Sequence, residues 1–152
     1  MLAILLGVTA FQSRNLLSDR SPAPAFKLYD MKGRIHDLSQ YQGKKTMLLF
    51  WAPWCTVCHA ESHNVKAIKA AYKDEINVVS VALAYEGDRA QVEGFIKKHD
   101  VDYTVLLGHT QTQRDYKISA FPTLYILDEQ GRIEDSLVGY TTELGMRLRL
   151  WL

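Results

Sequence analysis

The sequence predicts an α/β protein with one central mixed sheet flanked by helices and a short β extension at its N-terminal end. Three observations lead there. Apolar, β-branched runs alternate with helical runs in the order β-α-β-α-β-α-β-β-α, which calls for parallel strands joined by helical crossovers. A tight turn, Asp128-Glu129-Gln130-Gly131, folds two of the strands into an antiparallel hairpin. The chain's two cysteines stand close together in Cys55-Thr56-Val57-Cys58, where a buried strand hands over to a helix. At 152 residues the chain is long enough for one domain with a sizeable core.

The elements follow in order. Residues 26–29 alternate and read as a short strand, Asp30-Met31-Lys32-Gly33 as a turn, and residues 34–38 as the returning partner. Gln42-Gly43-Lys44-Lys45 is a second turn, leading to the apolar strand Thr46-Met47-Leu48-Leu49-Phe50-Trp51. The helix from about residue 56 to 73 sets Val65, Ile68 and Tyr72 on one side and Lys66, Lys69 and Lys73 on another. Residues 77–83 are β-branched and apolar, as a strand buried on both faces requires. Asp88 is positioned to cap a helix reaching His99, with Val92, Phe95 and Ile96 facing inward. A strand over 103–107, a short polar helix over 110–116, and strands over 123–127 and 132–138 come next. Thr141 or Thr142 caps a last helix reaching Leu152.

Residues 1–12 are a different matter. Met1 to Phe11 is an uncharged apolar run, at about 1.5 Å per residue roughly half of what a bilayer core needs. It lacks the basic residues expected before a signal sequence. A truncated membrane anchor is the favoured reading, with a short signal segment or a disordered or packed tail as the others. The polar stretch that follows makes residues 13–24 a linker and 25–152 the folded domain.

The net charge is +1, with both signs interspersed, so neither nucleic acid nor an acidic partner is indicated. One close cysteine pair cannot staple a domain of this size, which leaves metal, haem or redox chemistry. Cys55-Thr56-Val57-Cys58-His59 is literally a c-type haem attachment string, but a buried strand feeding straight into it leaves no haem pocket. Cys55, Cys58, His59 and His63 together make an alternative soft metal site, such as one for copper. At a strand–helix junction, free N–H groups and the positive end of the helix dipole favour a thiolate at Cys55, so the redox reading leads. His36, His99 and His109 read as surface residues, and Arg147 and Arg149 as the solvated face of the last helix.

Phe50-Trp51-Ala52-Pro53-Trp54-Cys55-Thr56-Val57-Cys58 resembles the active site of thioredoxin-fold proteins, and Phe121-Pro122-Thr123 before an apolar strand resembles that fold's cis-proline loop. Ala23-Pro24-Ala25-Phe26-Lys27-Leu28 and Gly43-Lys44-Lys45 are similar to the entry of TlpA-like, membrane-tethered thiol–disulfide oxidoreductases. The ending from Gly139 to Trp151 is similar to their suppressor-of-copper-sensitivity D branch. The resemblance implies that Cys55 is an exposed nucleophile and Cys58 a buried resolving thiol. It implies that Pro122 is cis and, with Phe121 and Trp54, meets the substrate, and that Glu61 moves a proton from Cys58. Leu49 stands where general thioredoxins carry a buried Asp, so Glu61 is the carboxylate left to tune the pair. Also implied are client protein disulfides as substrates, no cofactor, a membrane electron-transfer protein for regeneration, and a place on the periplasmic side of a bacterial inner membrane. The reductase direction, a role in copper tolerance and a monomeric state complete the expectation.

Overall fold

The structure, a computed structural model, describes residues 16–17, 20–84 and 88–151. Seven strands form one sheet in the order β2-β1-β5-β4-β3-β6-β7: β1 (Lys27–Asp30), β2 (Ile35–Asp37), β3 (Thr46–Trp51), β4 (Asn77–Ala82), β5 (Thr104–Leu107), β6 (Thr123–Leu127) and β7 (Ile133–Val138). Among the described residues four α-helices accompany it: α1 (Thr56–Tyr72), α2 (Arg89–His99), α3 (Thr110–Asp115) and α4 (Glu143–Trp151). The predicted alternation of strands and helices is all present. The three central strands β5, β4 and β3 run parallel, and β6 and β7 add antiparallel strands at one edge. The N-terminal β extension is the β1–β2 hairpin, laid antiparallel on β5 at the other edge.

All six residues of β3 are buried because both faces of the sheet are covered. Its period-two alternation sends Met47, Leu49 and Trp51 to the face that packs α1, α2 and α4, with Val65, Ile68, Phe95, Met146 and Leu150. Leu48 and Phe50 point to the opposite face, against Phe26, Tyr116, Tyr125 and Ile118. There Tyr116 donates its hydroxyl to the Pro24 carbonyl at 2.6 Å, and Tyr125 donates to the Tyr116 carbonyl at 2.6 Å, so both buried phenols are satisfied.

Several local readings change. A 3-10 turn, Leu38–Tyr41, follows β2, capped by Asp37 in a box with Gln40. The Asp88 side chain makes no capping bond; its carbonyl instead receives the Gln91 and Val92 N–H groups. Thr142, not Thr141, caps α4, its hydroxyl oxygen accepting from Gly145 N–H at 3.0 Å. His36 is half-buried between Asp30 and Tyr41. Burial pushes the Asp30 carboxyl up, but hydrogen bonds from His36, Arg34 and Lys32 outweigh it and hold the group well below the usual carboxylate range. Arg149 pairs with Asp135 across to β7, and Arg147 with Glu143 at 2.7 Å, so neither is merely solvated.

Over its described residues, the stretch expected as a linker is packed on the domain. Leu16 is buried, Arg20 N–H donates to the Ile133 carbonyl at 3.1 Å, and Pro22 bridges to Arg132. Residues 1–12, Tyr85 and Leu152 lie outside the described residues. No helix among the described residues is long and apolar enough to cross a membrane.

Gly108 ends β5 where the sheet leaves no room for a side chain. A Cβ there would stand 2.6 Å from Leu83 Cδ2 and 2.7 Å from Val81 Cγ1. Leu83 can swing its terminus, but the β-branched Val81 is stiff within its strand. Gly108→Ala is therefore expected to lower stability by about 1–3 kcal/mol, read as a lower denaturant midpoint at unchanged slope.

Candidate functional site

β3 delivers the chain to the site fully buried, and Cys55 N–H closes a turn by donating to the Ala52 carbonyl at 3.1 Å. α1 then starts with Cys55 itself as its N-cap, the Cys55 Sγ accepting the Cys58 N–H at 3.2 Å. A cap is ordinarily an oxygen; here sulfur takes one of the helix's free N–H groups, so the helix end favours negative charge on Cys55. Cys55 and Cys58 form a disulfide with their Cα atoms 5.2 Å apart. Both are buried, at 7 % and 4 % exposure. The expected contrast between an exposed and a buried thiol is thus absent in the closed ring, because both sulfurs join the core cluster around Trp51 and Ala52. The pair differs instead in its position on the helix.

The exposed apolar side chains of the site are Trp54, at 59 %, and Val57, at 43 %. The Trp54 ring stands edge-on to Phe121, 5.5 Å between centroids. The Phe121–Pro122 bond is cis, as the resemblance implied. Register explains how Pro122 reaches the site. β6 runs antiparallel to β3 with Thr123 opposite Phe50, so the residue before Thr123 lies level with the end of β3. Thr123 Oγ1 donates to the Ala120 carbonyl at 2.8 Å, and the Pro122 carbonyl accepts Gly139 N–H at 2.8 Å, which pins the loop from both sides. Beside Trp54 and Phe121 opens a cleft of about 570 Å³, walled by Leu83, Gly108, Thr110 and Gln111. Nothing in the local sequence marked these wall residues.

Glu61 is on the same side of α1 as Cys58 and only 1 % exposed, so it is buried rather than solvated. One carboxylate oxygen, Oε2, accepts Thr141 N–H at 2.8 Å from the segment before α4. Among the described residues Oε1 has no partner, and neither do the neighbouring-core atoms Trp51 Nε1 and Thr141 Oγ1. Burial pushes the Glu61 carboxyl up to about 7, against the opposing pull of the Thr141 N–H. A carboxyl that changes charge near neutrality, with an oxygen free, can take up or give back a proton.

The metal alternative fares differently. Both ring nitrogens of His59 are engaged, Nε2 with the Pro53 carbonyl at 2.9 Å and Nδ1 with His99 Nε2 at 2.6 Å, while both sulfurs are in the disulfide. His63 is exposed, with its ring 5.9 Å from that of His99. Among the described residues no group of three or more His, Cys, Asp or Glu is arranged to hold a metal ion. His99, expected at the surface, is half-buried and belongs to this corner of the site, a link the sequence could not show.

Comparison with known proteins agrees with this geometry. The AhpC/TSA family model matches residues 20–136. The thioredoxin-like protein YneN of Bacillus subtilis is 32% identical over 158 aligned positions, covering 99% of this chain and 93% of that one. The thiol-disulfide oxidoreductase ResA of Geobacillus kaustophilus is 28% identical, covering 88% of this chain and 76% of that one. The crystal structure of a DsbE-like thiol:disulfide interchange protein from Chlorobium tepidum superimposes with a TM-score of 0.77 at 28% identity, over 88% of this chain and 99% of that one.

The raised Glu61 value has a consequence for stability. Between its ordinary value of 4.5 and about 7, the folded carboxyl keeps a proton that the unfolded one has lost. Stability therefore falls as pH rises through that window, and the deficit is complete above it. Glu61→Gln, neutral throughout, is expected to gain stability over wild type on going from about pH 4 to about pH 8, by up to ~3 kcal/mol. Melting temperatures of the two proteins across that range check it; parallel curves would show that Glu61 ionises as freely in the folded chain as in the unfolded one.

Proposed function

The chain belongs to the AhpC/TSA family and is a TlpA-like thiol–disulfide oxidoreductase with a thioredoxin-like fold, and from that premise we propose that it reduces protein disulfides on the extracytoplasmic side of a bacterial membrane. The observation that carries the proposal is the division of labour on the first turns of α1. Cys55 Sγ accepts the Cys58 N–H, and one turn further on Glu61 holds a buried oxygen with no partner among the described residues.

In the dithiol form the Cys55 thiolate attacks one sulfur of a client disulfide. A mixed disulfide forms, and the client's other sulfur leaves as a thiolate. Glu61 accepts the Cys58 proton, and the Cys58 thiolate attacks Cys55 Sγ. This closes the ring seen here and releases the second client sulfur, which takes up a proton. The two electrons thus pass from the chain to the client, and a membrane electron-transfer protein restores the dithiol. Trp54, Phe121 and Pro122 form the surface that receives the client, with no cofactor in any step. The resemblance to TlpA-like reductases supports the direction, and the apolar run from Met1 to Phe11 supports N-terminal anchoring. The similarity of the chain's ending to the suppressor-of-copper-sensitivity D branch supports copper-tolerance proteins as clients.

Cys58→Ser is expected to trap clients as mixed disulfides with Cys55, which non-reducing gels would show as adducts dissolved by reductant. Glu61→Gln is expected to slow release of the client by about tenfold or more above pH 7 and to flatten the pH profile below it. An unchanged profile would remove Glu61 from the mechanism. Equilibration with glutathione buffers tests direction: a potential near about −270 mV fits a reductase, and one near about −120 mV would make the protein an oxidant.

A further inference from the structure

His59 follows Cys58 directly, yet its ring reaches back to the loop that carries Cys55. Its Nε2 lies 2.9 Å from the Pro53 carbonyl, two residues before the cysteine, and its Nδ1 lies 2.6 Å from His99 Nε2 at the end of α2. Both imidazoles pack on Phe95, with centroids 4.6 Å away, and Phe95 packs on Trp51 at 4.1 Å, so the pair is set against the core beneath the site.

The hydrogen-bond inventory decides the protons. A carbonyl oxygen only accepts, so His59 Nε2 carries the hydrogen and donates to Pro53. A neutral imidazole has one N–H, so His59 Nδ1 accepts, and His99 Nε2 must donate to it. One added proton can go to His99 Nδ1 with both bonds intact. A second would put two N–H groups head to head. The surroundings also work against a charged His99. His63 and Lys66 face the pair from α1 and Lys98 from α2, and Lys66 also donates to the His99 carbonyl at 3.2 Å while pairing with Asp100 at 3.7 Å. Burial first, and then the charges of His59, Lys98, His63 and Lys66, hold the His99 imidazole below its ordinary range.

We propose that His59 is a positioning residue for the Cys55 nucleophile, holding the Pro53 carbonyl through Nε2–H in a tautomer that His99 fixes. The inference rests on the reading of Cys55 as the attacking thiol. The ring ties the loop ahead of Cys55 to α1 and α2, and with it the approach of Cys55 to a disulfide. A small misplacement of a reacting group is costly in rate.

The test combines a spectroscopic and a kinetic readout on the full chain. Nitrogen NMR of the wild type is expected to show His59 protonated at Nε2 and bare at Nδ1. Reduction of a chromogenic aryl disulfide by the dithiol form is expected to slow about fivefold in His99→Leu, the factor of one net hydrogen bond. It is expected to recover in His99→Gln, whose amide N–H can donate to His59 Nδ1. A wild-type His59 protonated at Nδ1, or a His99→Leu rate equal to wild type, overturns the proposal. Should His99→Leu fail to fold, the wild-type tautomer and the rate of His99→Gln still decide it. Cys55→Ser separates the underlying reading: reduction that persists there overturns Cys55 as nucleophile, and the NMR signature then judges the hydrogen-bond arrangement alone.

Discussion

The pairing of β3 with β4 on one side and β6 on the other is the constraint on which the site depends. β3 runs parallel to β4 and antiparallel to β6, with Phe50 opposite both Val81 and Thr123. That register brings the end of β3, where Cys55 follows, level with the start of β6, where Pro122 precedes. A slip of one residue would turn every side chain of β3 to the other face, exchanging Trp51 and Leu49 for Phe50 and Leu48. Because both faces of β3 are buried, such a slip gains nothing and breaks two cores at once. The redox site inherits its precision from this pairing.

Against that rigid frame, the site places polar groups where burial disfavours them. Glu61 is almost wholly inaccessible and holds only one hydrogen bond, to Thr141 N–H, among the described residues. A carboxylate in such a place costs stability when ionised. The same cost raises its proton affinity to near neutrality. The Cys55 sulfur at the helix cap and the His59–His99 couple follow a related logic: each takes a proton-bearing or proton-seeking atom and gives it a fixed partner beside the core. The segment just before α4 enters this arrangement through its backbone, the Thr141 N–H holding the Glu61 carboxyl on α1.

Much of this could be read from residues alone, for identifiable reasons. Strands β3 to β6 announced themselves by β-branched, apolar runs, β7 by the turn before it, and α1 by its apolar spacing. The Cys-x-x-Cys pair was legible because its chemistry depends on local spacing, and Glu61 was legible as a candidate because the resemblance to TlpA-like proteins marks that position, one helical turn from Cys58. The pairing partners of His59, the cleft walled by Gly108 and Thr110, and the docking of residues 20–22 on β7's start were not legible. Each joins segments far apart in sequence, and nothing in one segment specifies the other.

The sequence by itself determined the type of fold, the strand–helix junction that bears the cysteines and the side of α1 that holds Glu61, because periodicity and short spacing are local properties of a chain. Only the tertiary structure decided that both Cys55 and Cys58 are buried in the closed ring, that Glu61 is clamped by Thr141 and titrates near neutrality, and that both ring nitrogens of His59 meet Pro53 and His99. Burial, proton affinity and ring tautomer are set by what surrounds a group in space, and those surroundings exist only once the sheet and its helices have packed.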